Sequence, residues 1–133
     1  MTKILAFDIG EKRIGIAHSD DTGSFAFPLM TINIDKNVES ELGKIIQDEN
    51  PEKIVIGLPR NMDGSLGFQA ERAKEFVKKY LGEYDAIFEY EDESVTSIEA
   101  EGLMRLEGKD PRKNKELIDT YAAKIILESY LSK

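Results

Sequence analysis

The sequence predicts an α/β domain built on a five-stranded mixed sheet, three antiparallel strands followed by two parallel ones, flanked by helices. Three observations predict it. Up to residue 34 the chain carries three short β-rich runs with turn signals between them. Beyond that point helical stripes alternate with two short apolar runs, the pattern of parallel strands joined by crossover helices. The length, 133 residues, suits one domain, and no linker, repeat or low-complexity tract divides residues 1–133.

The elements follow in order. Residues 4–9 and 13–19 are separated by Gly10-Glu11-Lys12, and residues 25–34 follow the turn Asp20-Asp21-Thr22-Gly23, which together make an antiparallel meander. Val38, Leu42, Ile45 and Ile46 recur at helical spacing behind Asn37, an expected N-cap, and Asn50-Pro51 ends that helix. Residues 53–57 read as a buried strand. After the loop 58–64, Ala73, Phe76, Val77, Tyr80 and Leu81 form one apolar stripe, and residues 86–90 supply the fifth strand. Thr96 and Glu99 make a capping box for a helix to about residue 107; Gly108 stops it, and Pro111 is expected to begin a last helix. The order β-β-β-α-β-α-β-α-α matches the ribonuclease H-like fold, which serves several nucleases and actin-like ATPases, so function has to be argued from the residues.

Composition narrows the classes. With 26 Asp and Glu against 18 Lys and Arg the net charge is −8, which taken whole disfavours a polyanionic partner. The excess is local, however. Residues 83–101 hold eight acids and no base, so the rest of the chain is balanced. The absence of cysteine removes disulfides, thiolate zinc sites and cysteine nucleophiles. There is neither a signal-peptide pattern nor an apolar run long enough to span a bilayer, and the expectation is a cytoplasmic protein with no membrane partner.

Two carboxylates and one acid-crowded strand end stand out. Asp8 ends a strand whose neighbours are all apolar, where an unpaired charge is costly; it either binds a cation or caps the turn at Gly10. Glu93 lies just beyond the fifth strand in a crowd with Glu91 and Asp92; those two read as solvated charge, and the residues alone do not set Glu93 apart from them. Asp119 shares a helix face with Ala122, Ala123 and Ile126, while Lys124 and Glu128 mark the solvent side. Asp119 is then either a metal ligand or the partner of Lys12 or Arg13. In the expected topology these acids can converge at one end of the sheet. Carboxylates suit Mg²⁺ or Mn²⁺, and a pair of such ions can activate water and stabilise the leaving oxygen of a phosphodiester. With one histidine and no cysteine, zinc is disfavoured, and His18 reads as a strand residue.

Candidate phosphate contacts lie around these acids. In the segment from Gly57 to Ser65, Asn61 and Ser65 precede a helix whose N-terminal amides can bind an anion, although such a turn can equally be an ordinary loop. Lys109, Arg112, Lys113 and Lys115 cluster around Pro111, and with Lys12 and Arg13 they could hold a phosphate backbone.

Four segments carry a family resemblance. Residues 7–20, with Asp8-Ile9-Gly10 and Arg13-Ile14-Gly15, resemble the opening motif of the YqgF family, also called RuvX. Gly57-Leu58-Pro59 with Asn61 through Ser65, Asp92-Glu93-Ser94-Val95-Thr96-Ser97, and residues 115–131 resemble its other motifs in order. Ser94 stands where that family usually carries Arg. The resemblance implies a ribonuclease H-like nuclease whose acidic residues map onto Asp8, Glu93 and Asp119, with Glu116 a further candidate. It also implies divalent-metal phosphodiester hydrolysis by a hydrolase acting on the 16S ribosomal RNA precursor, in contact with the ribosome, or on branched DNA as a Holliday junction resolvase. A non-catalytic nucleic-acid-binding module and an ATP-binding protein of the same fold are the other classes considered. The expected state is a monomer or a homodimer formed through apolar residues such as Phe25, Phe27 or Met62.

Overall fold

The computed structural model describes residues 3–58, 67–92 and 97–133. Its elements are β1 (Ile4–Ile9), β2 (Arg13–Ser19), β3 (Ala26–Asn33), α1 (Val38–Glu49), β4 (Lys53–Leu58), α2 (Phe68–Phe76, continued by π-helical Val77–Leu81), β5 (Ile87–Asp92), α3 (Ser97–Leu106) and α4 (Ile118–Leu131). The sheet order is β3-β2-β1-β4-β5. The β1–β2 and β2–β3 pairs are antiparallel, whereas β1–β4 and β4–β5 are parallel, as expected from the element order. Among the described residues no helix is long and apolar enough to cross a membrane.

Strand alternation makes the two sheet faces unequal. Leu5, Phe7, Ile9, Ile14, Ile16, Ile54, Ile56 and Leu58 fill one face with bulk, and α1 and α2 pack there through Leu42, Ile45, Ala73 and Phe76. The opposite face carries small residues, Ala6 and Ala17 beside Val55, and receives α4 through Ala123, Ile126 and Leu127. That flatness lets α4 approach the sheet closely. A methyl group on Gly57 would come within 2.5 Å of the Ile126 Cδ1 atom. On its other side α4 supports α3, with Ala100 and Met104 packed against Tyr121 and Ala122.

Three local expectations need correction. Asn37 does not cap α1 with its side chain; instead Asp35 Oδ1 accepts the Asn37 amide at 2.8 Å, and the Asn37 carbonyl accepts the Glu41 amide as the helix begins. The last helix does not begin at Pro111. The Asp110 carboxylate accepts the Arg112 amide and its carbonyl accepts the Lys113 amide, which closes a separate turn. Asn114, at φ −132° and ψ 46°, breaks that turn before a short 3-10 segment, Lys115–Leu117, leads into α4.

The third correction concerns charge. Glu91 is only 3% exposed, because it pairs in register with Gly57 and so faces α4. There Ser129 Oγ donates to it at 2.9 Å and Lys133 Nζ at 2.8 Å. Glu89, on the same face, accepts a hydrogen bond from the Tyr130 hydroxyl, with Lys53 3.8 Å away. Part of the acidic segment is thus neutralised by bases distant in sequence, and Asp92 remains exposed. Lys124, expected on the solvent side, is mostly covered and pairs with Glu107 and Glu128 at 3.2 and 3.4 Å.

One consequence concerns α3. Nothing lies within 4 Å of the position a Cβ would take on Gly102, inside the helix. Gly102→Ala is expected to stabilise the protein by about 0.5–1 kcal/mol, since only the backbone entropy of the unfolded chain changes. A urea midpoint below that of the wild type would refute it.

Candidate active site

Asp8 lies on the α4 side of β1, opposite Gly15 of β2 in the antiparallel register. Gly15 is where the helix touches down. A Cβ there would lie 1.8 Å from the Asp119 carbonyl oxygen and 2.3 Å from its carbonyl carbon, so the missing side chain admits the first turn of α4 onto the sheet. The turn is pinned on both sides. Buried Thr120 shares a short hydroxyl hydrogen bond with Thr31 of β3, and Tyr121, fully buried, bonds Glu107 Oε1 at 2.7 Å.

This packing brings the carboxylates of Asp8 and Asp119 together. Burial, and next the negative charge of Asp119, push the Asp8 carboxyl up to about 6. Asp119 is held in turn by Arg13, the first residue of β2, whose Nε donates to Oδ2 at 2.9 Å. Of the two bases weighed from sequence, Arg13 is therefore the one that pairs. His18 is engaged elsewhere, with Nδ1 2.5 Å from Glu49 Oε1 and its ring edge-on to Phe27.

Beside the acids opens a cleft of about 300 Å³ lined by Arg13, Glu101, Arg105, Arg112, Lys115 and Asp119. Arg13, Arg112 and Lys115 are thus brought together as their sequence positions suggested. Lys109 lines a neighbouring depression with Arg105 and Arg112, and its ammonium sits 5.3 Å from the Tyr121 ring centroid. Lys12 and Lys113 are exposed and do not line the cleft, and Glu116 is exposed in the 3-10 segment. Glu93, Asn61, Ser65, Met62 and Ser94 lie outside the described residues. The strands that precede them, β4 and β5, end at Leu58 and Asp92, level with the end of β1 that carries Asp8.

Arg105 and Glu101 were missed by the sequence reading. The available signal was periodicity: Ala100 and Met104 face α4, so positions 101 and 105 flank that seam and border the start of α4. Among the described residues no three acids or histidines gather as a metal site. The pair that does meet suits a hard divalent cation nonetheless. Its donors are all carboxylate oxygens, and Asp8 bears its charge at a cost that a cation would relieve.

Known proteins resemble this chain in sequence and in fold. A family model described as "RuvX: Holliday junction resolvase" matches residues 2–133. A Crocosphaera subtropica protein named "Putative pre-16S rRNA nuclease" is 40% identical over 130 residues, covering 96% of this chain and 90% of that protein. A Lactococcus lactis protein of the same name is 36% identical over 133 residues, covering 97% and 93%. Among solved structures, the Fowlpox virus resolvase in complex with Holliday junction DNA matches with a TM-score of 0.61 at 17% identity, covering 98% of this chain and 97% of that one. Thermus thermophilus RuvC matches with a TM-score of 0.59 at 11% identity, covering 98% and 96%. These likenesses bear out the ribonuclease H-like architecture expected from the element order. The family match spans nearly the whole chain and the relatives agree over the same span, so the chain belongs to the YqgF/RuvX family.

Proposed function

We propose that this chain is a divalent-metal-dependent endonuclease that hydrolyses phosphodiester bonds in structured RNA, with the 5′ end of the 16S ribosomal RNA precursor as its cytoplasmic substrate. The observation that carries the proposal is the paired Asp8 and Asp119 at the edge of a cleft lined by four bases, in a chain whose relatives are named for that substrate.

Asp8, Asp119 and, through the family resemblance, Glu93 would hold Mg²⁺ or Mn²⁺, which when bound supplies Lewis acidity toward water and the leaving oxygen. The chain's own residues do the rest. Arg13, Arg105, Arg112 and Lys115 offer charge-assisted hydrogen bonds to backbone phosphates, with Lys109 beside them; Lys12, Lys113, Asn61 and Ser65 are further phosphate contacts proposed from the sequence. In the net reaction water adds to phosphorus, one P–O ester bond breaks, and the proton from water leaves with the departing alcohol. The fixed backbone of Asp119 against Gly15 keeps both carboxylates in place without reorganisation.

A second reading, cleavage of four-way DNA junctions, is favoured by the family description and by the resolvase fold. One experiment separates the readings. A 16S precursor fragment and a four-way DNA junction are each incubated with the protein in Mg²⁺, Mn²⁺ or EDTA. Cleavage of the RNA in metal alone is expected, and Asp119→Asn should lower its rate by about 100-fold or more, the scale of losing an organising group at the reacting centre. Preferential cleavage of the junction would move the assignment to the second reading. Activity persisting in EDTA would sink the metal site, and tight RNA binding without cleavage under either metal would leave a binding module.

A further inference from the structure

The Arg13–Asp119 ion pair lies between two features of the site. On one side is Asp8, which has no cation within 4 Å among the described residues. On the other is the cleft with Arg105, Arg112 and Lys115. Arg13 itself is 56% exposed in its side chain, and the contact is made through Nε. A guanidinium so placed can leave without breaking the core. It can also bind a phosphate with its two terminal nitrogens as readily as a carboxylate.

We infer that Arg13 is an exchangeable counter-ion. It neutralises Asp119 in the metal-free protein, yields that carboxylate to the divalent cation, and turns into the basic cleft to take a backbone phosphate of the nucleic acid. This rests on the proposed reading of Asp8 and Asp119 as cation ligands. Its consequence is linkage: metal loading strengthens polyanion binding and, by reciprocity, a polyanion in the cleft strengthens metal binding. The neighbouring bases are held differently. Arg105 faces Glu101 at 3.9 Å and Arg112 faces Asp110 at 3.5 Å, so neither competes for Asp119.

The test measures Ca²⁺ affinity of the RNA-free protein by calorimetry, and affinity for a short RNA hairpin in Ca²⁺ and in EDTA. Arg13→Gln should bind Ca²⁺ about 5-fold tighter than wild type, because the competitor is gone, and should lose most of the gain in RNA affinity that Ca²⁺ confers. Arg105→Gln controls for the loss of a nearby positive charge; it should weaken RNA binding in both conditions while changing Ca²⁺ affinity less than about 2-fold. Weaker or unchanged Ca²⁺ binding by Arg13→Gln would overturn the exchange and make Arg13 a fixed support of Asp119. Wild-type protein that binds no Ca²⁺ or Mn²⁺ at all would overturn the underlying reading and the exchange with it.

Discussion

Asp8→Asn is expected to make the metal-free protein more stable at pH 7.5 while abolishing cleavage. In the folded chain the Asp8 carboxyl is raised from 3.8 to about 6, by burial first and by the charge of Asp119 second. Between those two pH values the folded state holds a proton that the unfolded state has lost. Stability contributed by this group therefore falls as pH rises from about 4 to about 6, and the full cost is present above that window. The cost at pH 7.5 is on the order of 1–3 kcal/mol, taking each pH unit as about 1.4 kcal/mol for an incompletely enclosed group. Asparagine keeps the shape and discards the charge. Urea denaturation in EDTA should show the variant ahead of wild type at pH 7.5, with the difference closing near pH 4. Added Mg²⁺ should reverse the order, since only the wild type gains stability from a bound cation. A variant less stable than wild type at pH 7.5 in EDTA would mean that the charged carboxylate is already satisfied.

The same residue shows what was legible in the sequence. Asp8 at the end of an apolar run, and Asp119 on a face with Ala122, Ala123 and Ile126, were visible as misplaced charges because strand and helix periodicity alone decide which way such positions face. The meander and the parallel pair were legible for the same reason. Glu91 was not, since its burial depends on a register with Gly57 and on the C-terminal turn of α4, both set by tertiary packing. The start of the last helix was misread because Pro111 suits a helix's first turn, and the competing Asp110 turn and the Asn114 break are comparable local preferences. Arg105 reached the site only through the seam between α3 and α4. The role of Gly15 was the least visible of all, because a glycine inside a strand signals close approach without saying by what.

Gly15→Ala should therefore be severely damaging, because no other described glycine approaches backbone so closely. The added carbon would sit 1.8 Å from the Asp119 carbonyl oxygen and 2.3 Å from the carbonyl carbon. The obstacle is backbone in the first turn of a helix, so no side-chain rotation can relieve it. Thr31 holds that turn through Thr120, and buried Tyr121 follows immediately. Relief requires α4 to lift away from β1 and β2, which opens the seam lined by Ala6, Ala17 and Ala123. Overpacking combined with loss of contacts should cost about 2–4 kcal/mol. The displacement also carries Asp119 away from Asp8. Whatever fraction stays folded should bind divalent cations at least about 10-fold more weakly and cleave about 100-fold more slowly, the usual penalty for a reacting group misplaced by an ångström. The Asp8 carboxyl, less enclosed and relieved of its neighbour's charge, should return toward 3.8, a shift readable by following its carboxyl carbon through an NMR titration. General fragility of the fold would lower stability without moving that titration. If Gly15→Ala matched wild type in stability and in cation affinity, α4 would not be seated on Gly15, and the pairing of the two carboxylates would lose its structural basis.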